Sequence, residues 1–261
     1  MKAILMGKHK RSAVGALEHL VRRGVEVVVV VAPPRVEGVD DSQRLDLAAD
    51  RHGIELSGDD DLYARVERGE LADVDLVLSF LFWKRIRRAL IELGRVGCLN
   101  FHPAPLPDIR GMGGFNVAIL EGFEQWGVSG HFVDEDFDTG DLVRVDRFPI
   151  EPTATALSLD IESQGRLLAL FEEVIDLTLA GGELPRTPQG AGRYVTKAEF
   201  EAMRRVPPGE DPETLDRRIR AFWYPPYDGA TIEVAGRTLS LVDRELLRQA
   251  AEANRAAGIL P

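Results

Sequence analysis

The chain has 261 residues, 44% of them hydrophobic and 29% charged, which suits a soluble globular protein with one core-rich domain and a modest appendage. A formal net charge of -11 argues against a nucleic-acid partner, because phosphate binding needs a basic footprint. The single cysteine, Cys98, excludes an intramolecular disulfide and any cysteine-based zinc cluster, and no metal is expected.

Residues 3–7 and 25–32 read as strands buried on both faces, with helical spacing over 12–23 between them. A short third strand is expected near 53–56, a helix near 62–68 and a strand over 75–80. A helix over 84–93 then leads to the strand carrying Asn100 and His102. Beyond it come a helix at 115–121, strands at 128–134 and 142–149, and a long amphipathic helix at 156–179 that Gly181-Gly182 ends. The stretch 185–194, rich in Pro, Gly and Gln, reads as a linker. Helices at 197–205 and 212–222, a hairpin of 230–234 and 238–242 turning at Ala235-Gly236-Arg237, and a terminal helix at 244–257 complete the pattern. Alternating strands and helices predict an α/β fold with a mostly parallel sheet flanked by helices, over residues 1–184. Residues 185–261 form the linker and a small C-terminal α+β appendage. No charged-then-apolar signal opens the sequence, and no apolar run is long enough to cross a bilayer. A cytoplasmic protein without a membrane partner is therefore expected.

The phosphate loops of NAD- and ATP-binding sheets are missing, since Met6-Gly7-Lys8-His9-Lys10-Arg11 lacks the required glycines. What stands at a strand end instead is Asn100-Phe101-His102-Pro103-Ala104-Pro105-Leu106-Pro107, followed later by Asp138 in Phe137-Asp138-Thr139-Gly140-Asp141. In a strand, Asn100 and His102 share one face, and the prolines stiffen the loop beyond them. An amide donor, an imidazole and a carboxylate suit acyl transfer: one group holds an oxyanion, one moves a proton, one orients or assists the mover.

This pattern, with Leu106-Pro107 and Arg110-Gly111 in the loop and Asp138 ahead of Thr139-Gly140, resembles the formyltransferases that use 10-formyltetrahydrofolate. The likeness extends upstream to the run from Asp75 to Arg85 and downstream through Gly127 to His131, covering roughly residues 1 to 205. It implies a Rossmann-like formyltransferase fold, with Asn100, His102 and Asp138 as catalytic residues and 10-formyltetrahydrofolate as co-substrate. It also places the folate against Phe80, Leu81 and Phe82, and against Asp134 and Phe137 in the loop before the aspartate. Backbone contacts are expected there more than side-chain ones. Leu106, Arg110 and Gly111 match the family's loop.

His131 reads as a satisfied structural histidine. His9, His19 and His52 show no partner pattern and read as surface or loop positions. The basic run Lys8-His9-Lys10-Arg11 nonetheless follows the first strand, where a phosphorylated ligand can meet it, which makes Lys8 and His9 substrate candidates. A second run, Lys84-Arg85-Ile86-Arg87-Arg88, reads as a solvated helix face.

The appendage bears on the acceptor. Glycinamide ribonucleotide formyltransferases end after the main domain, whereas this tail is longer. The deformylase relatives carry an extra domain ahead of their first strand, and this sequence opens on that strand. Methionyl-tRNA formyltransferases have a larger, usually basic C-terminal barrel and an Arg-Gly-Ala-Ala-Pro loop, where this chain has Arg110-Gly111-Met112-Gly113-Gly114. Arg220 to Ala230, with Trp223, Tyr224 and Tyr227 beside Pro225-Pro226, resembles the short C-terminal module of sugar N-formyltransferases. Those aromatics either line a nucleotide or sugar pocket or staple the appendage. The expected acceptor is thus a small-molecule primary amine, the amino group of a nucleotide-linked sugar. Alternatives are a methionyl-tRNA formyltransferase-like enzyme, an amino-acid or peptide-like amine, and a folate-binding module without catalysis. The aromatics also permit a homodimer.

Overall fold

The computed structural model describes residues 1–34 and 38–256. In chain order the elements are β1 (Lys2–Gly7), α1 (Arg11–Arg22), β2 (Glu26–Val31), α2 (Leu45–Arg51), α3 (Asp59–Glu67), β3 (Leu76–Phe80), α4 (Arg88–Ile91) and β4 (Gly97–His102). They continue with β5 (Ile109–Gly111), α5 (Gly114–Leu120), β6 (Gln125–Phe132), β7 (Leu142–Pro149), α6 (Ala156–Leu179) and β8 (Arg193–Val195). The last are α7 (Lys197–Arg204), α8 (Pro212–Ala221), β9 (Ala230–Val234), β10 (Arg237–Leu241) and α9 (Arg244–Ala256). Position 257, expected at the end of the last helix, lies outside the described residues. No helix among the described residues is long and apolar enough to cross a membrane.

Two compact units emerge. The first comprises 1–110, 127–148 and 162–193; the second comprises 111–126, 149–161 and 194–261. The chain is thus not cut linearly at 184/185. Residues 185–193 belong to the first unit because they are hydrogen-bonded into it: Thr187 exchanges both backbone bonds with Leu142, and the Arg193 N–H donates to the Asp108 carbonyl.

A six-stranded sheet of order β2-β1-β3-β4-β6-β7 organises the first unit. β1 pairs in parallel with β2 and β3, and β3 with β4, while β4 meets β6 antiparallel. Strands buried on both faces explain the near-continuous apolar runs. One face presents Ile4, Met6, Val29, Val31, Val77 and Cys98 to Leu62, Tyr63, Ile86 and Leu90 of α3, α4 and the segment before α4. On the other face Phe80 and Phe101, side by side in register, meet Phe171 of α6, with ring centroids 5.6 and 4.8 Å from it. All three rings are fully buried. Truncating Phe171 to Ala is expected to cost about 3–5 kcal/mol, read as a lower urea midpoint at unchanged m-value.

Three expectations change. The third strand reduces to a single bridge, Val30 with Leu56, and α2 occupies the preceding residues. The helix expected over 84–93 shrinks to α4, because Arg87 N–H donates to the Tyr63 hydroxyl at 2.8 Å while its guanidinium lies over that ring. His19 is buried, not on the surface, with Nε2 2.9 Å from Asp176 and Nδ1 3.4 Å from Glu172.

In the second unit, Thr196 caps α7 and Asp211 caps α8, each side chain accepting an N–H three residues on. β9 and β10 pair Val234 with Arg237 across Ala235-Gly236, both at positive φ, which suits the two-residue hairpin turn. The Tyr224 hydroxyl donates to Asp160, and the Arg220 guanidinium donates to the Ala154 carbonyl at 2.9 Å.

Candidate active site

Strand register builds the site. β3, β4 and β6 place Ser79, Asn100 and His131 in one row, and His102 stands opposite Ser129 one pleat further on. Since Phe101 points to the aromatic core, Asn100 and His102 share the opposite face at the carboxyl end of β4. Ligand crevices of mostly parallel sheets open at that end.

The row is a directed hydrogen-bond chain. Ser79 Oγ donates to Asn100 Oδ1 at 2.7 Å, which turns the Asn100 amine toward His131 Nε2 (3.0 Å) and Asp138 Oδ1 (3.3 Å). His131 Nδ1 lies 2.7 Å from the Phe132 carbonyl oxygen, which can only accept. The proton is therefore on Nδ1, and in the neutral ring Nε2 accepts from Asn100. His131 is satisfied, as a structural histidine should be, but it also fixes the Asn100 amide and stands 3.6 Å from Asp138.

Asp138 arrives from the loop after β6, its Oδ1 3.7 Å from His102 Nδ1. Its backbone holds φ 56, a left-handed conformation that aspartate tolerates better than most residues. Gly140 lets the loop close: a Cβ there would stand 2.1 Å from the Phe132 carbonyl oxygen. Thr139 Oγ1 donates to Asp134 Oδ1 at 2.5 Å, and Asp136 N–H donates to the same oxygen at 3.1 Å, stiffening the approach. On the other side of the site, Ser129 Oγ accepts from Leu106 N–H and donates to the Ala104 carbonyl, pinning the proline loop.

Electrostatics separate the two titrating partners. Burial pushes the His102 imidazole below its ordinary value; Asp138 opposes this, while His131 and Lys8 act in the same direction as burial. Burial pushes the Asp138 carboxyl up, but His131, His102 and Arg110 together outweigh it and hold the group below the usual carboxylate range. At neutral pH the pair is a neutral imidazole beside a carboxylate. For both groups the folded protein binds fewer protons than the unfolded chain. Their contributions to stability are therefore complete above the unfolded values and fall as pH drops through the folded ones.

The other candidates divide. The Phe80 side chain lies in the aromatic core, so only its backbone can face a ligand. Leu106 is likewise buried. Leu81 is held at φ 58, its N–H on the Phe101 carbonyl, and Phe82 contacts the Trp83 ring at 4.8 Å. The guanidinium of Arg85 donates to the Glu135 carbonyl and lies 6.0 Å from the Phe137 ring, which brings the 80–85 strand end and the 134–137 loop together. Arg110 donates to Gln189 at 2.7 Å. Gly111, at φ 88, has a backbone reason to be glycine: a Cβ would stand 2.3 Å from the Val195 carbonyl oxygen.

Lys8 is exposed, and His9 is anchored by accepting the Leu45 N–H at 3.3 Å, with Asp46 3.9 Å away. In the second unit Trp223 is half-buried, Tyr224 is tied to Asp160, and Tyr227 is exposed with its ring 5.7 Å from that of Tyr224. Sequence reasoning placed Ser79 only in the strand end whose backbone faces the folate, and passed over Ser129 and Gln189. Ser79 carried a signal, as a lone hydroxyl within the apolar run Leu76–Phe80.

The formyl transferase family model matches residues 14–166. The chain is 31% identical over 183 residues to GDP-perosamine N-formyltransferase of Brucella melitensis biotype 1, covering 70% of this chain and 70% of that protein. It is 30% identical over 259 residues to methionyl-tRNA formyltransferase of Novosphingobium aromaticivorans, covering 97% of this chain and 84% of that one. Among solved structures, an N-formyltransferase of Helicobacter canadensis, crystallised with folinic acid and dTDP-3-aminofucose, superposes with a TM-score of 0.72 at 19% identity, over 90% of this chain and 85% of that one. A sheet that delivers Asn100 and His102 to Asp138, within a sequence matched over more than half its length, places this chain in the formyl transferase family.

Proposed function

We propose that this enzyme moves a formyl group from 10-formyltetrahydrofolate to the primary amine of a nucleotide-linked amino sugar. The observation that carries the reading is the convergence of Asn100, His102 and Asp138 at the carboxyl end of β4. A pure folate binder has no need of an oxyanion donor set beside proton-transfer groups. The folate donor fits the residues present: the backbone of 80–82 and the half-exposed Phe137 offer polar edges and an apolar face to a flat ring. When bound, it supplies a formyl carbon on a nitrogen leaving group.

The chain's residues do the rest. Asn100 Nδ2–H, the one held loosely at 3.3 Å, donates to the formyl oxygen as negative charge develops there. Neutral His102 accepts the proton that the attacking amine loses as the new C–N bond forms. The imidazolium is then stabilised by Asp138 and returns the proton to the departing nitrogen as the old C–N bond breaks. Lys8 is the group proposed to meet the acceptor's phosphates; the His9 side chain, 5% exposed and accepting the Leu45 N–H, is withdrawn from that role.

The sugar acceptor is supported by the GDP-perosamine relative, by the ligands of the Helicobacter enzyme and by the net charge of -11. A second reading, transfer to initiator methionyl-tRNA, has its own support, since the tRNA-modifying relative aligns over 97% of this chain. Release of tetrahydrofolate from 10-formyltetrahydrofolate, run against nucleotide-linked amino sugars, initiator methionyl-tRNA and a blank without acceptor, decides between them. Release with one sugar supports the proposal, release with tRNA moves the enzyme to the second reading, and release in the blank makes it a hydrolase. The acid limb of kcat/KM should titrate below pH 6.5, because His102 must be neutral to accept a proton and burial depresses its affinity for one. A limb at or above 6.5 contradicts that role.

A further inference from the structure

The segment taken for a linker runs as a strap along both loops that carry the site. The Arg186 guanidinium lies 3.4 Å from the centroid of the Phe132 ring, next to His131. Thr187 is locked to Leu142 by two backbone hydrogen bonds of 2.8 and 3.0 Å. At the far end, the Arg193 N–H donates to the Asp108 carbonyl at 3.1 Å. Gly192 passes so close to the proline loop that a Cβ would stand 1.6 Å from the Pro107 carbonyl oxygen. With both ends held, Gln189 spans the space between. Its Nε2 donates to the Gly140 carbonyl at 2.6 Å, and its Oε1 accepts from Arg110 Nη2 at 2.7 Å. A neutral amide is the side chain that can do both, since one end must donate and the other must accept.

We infer that Gln189 is a positioning residue for formyl transfer: it ties the Arg110 guanidinium to the loop two residues beyond Asp138 and so sets the carboxylate against Asn100 and His102. The inference rests on the transfer reaction proposed above and adds a residue to it. A hydrogen bond at Gly140 constrains the loop where it turns back toward Leu142. The bond to Oε1 fixes where the positive charge of Arg110 stands. That charge acts on Asp138 together with His102 and His131, and Lys8 acts on His102 in turn. Losing the amide thus disturbs the position of Asp138 and its ionisation together.

The test uses the full chain carrying Gln189→Met, Arg110→Met or both, with melting temperature recorded for each. The Asp138 carboxyl and His102 imidazole are titrated by NMR on the protein alone, and kcat and KM are measured with the acceptor that the panel above identifies. In Q189M the Asp138 midpoint is expected to rise and kcat to fall roughly 10- to 100-fold, with KM for the folate little changed. In the double variant the shift in the Asp138 midpoint should exceed that of R110M but fall short of the sum of the two single shifts, because only part of the amide's effect runs through the guanidinium. Wild-type titration or wild-type kcat in Q189M overturns the inference, as does a double variant whose titration shifts add. A lower melting temperature with titration and kcat unmoved makes Gln189 merely structural. Should Q189M fail to fold, Gln189→Asn, polar but too short to span both partners, takes its place in the same measurements. If the wild type transfers formyl to no acceptor, the functional reading fails, and the titration arm still decides the positioning role.

Discussion

Asp138→Asn is expected to lower turnover by about 10²- to 10⁴-fold, the range for a lost proton-transfer partner, while folate affinity stays near that of the wild type. Asparagine keeps the size and shape of the side chain, and it tolerates the left-handed φ of 56 at this position. The loop should therefore stay folded over Gly140, and what disappears is the charge. His102 then has no anion 3.7 Å away when it takes up a proton, so the imidazolium proposed for the transfer step loses its stabilisation. Single-turnover kinetics on a saturating acceptor, beside calorimetric titration with a folate analogue, separates the two effects. Turnover within a few-fold of wild type would remove Asp138 from proton transfer, and lost folate affinity would relocate its role to binding.

Asn100→Ala carries the second large effect. Removing one preorganised oxyanion donor costs about 10²–10³ in kcat. Here the change also strips a partner from Ser79 Oγ and from His131 Nε2, both buried. Leaving such groups unsatisfied adds a stability cost of about 1–3 kcal/mol each. The variant should thus be both slow and less stable, whereas Asp138→Asn should be slow alone. A chemical denaturation curve beside kcat distinguishes them. Normal stability in Asn100→Ala would mean that water replaces the amide, and normal kcat would mean that another donor holds the oxyanion.

How much of this was legible in the sequence depended on how local each signal was. β1 and β2 announce themselves by unbroken apolar runs, and β3 by an apolar run that Ser79 alone interrupts. Asn100 and His102 were legible because their relation is a two-residue spacing within one strand. His131 and Ser79 were not, because their link to Asn100 depends on the register of neighbouring strands, which no local pattern reports. Gln189 was hidden for a different reason. Its surroundings have the Pro, Gly and Gln composition of a flexible connection, and only the hydrogen bonds to Leu142, Gly140 and Asp108 show that the backbone is fixed. The helix expected over 84–93 failed where one long-range bond, Arg87 to Tyr63, outweighed helical propensity.

The close passage of Gly192 over Pro107 also says where this protein can be recombined. A designer exchanging the C-terminal portion for that of a relative would naturally cut at the apparent linker, at 184/185. Such a cut would import a foreign strap, in which any residue at 189 unable to span Arg110 and Gly140 breaks the bridge and any side chain at 192 meets the Pro107 carbonyl. A junction after Arg193 keeps the native segment against its loops and leaves the candidate site with the sequence that shaped it. Chimeras joined at the two places should differ in activity even when they differ by nine residues alone.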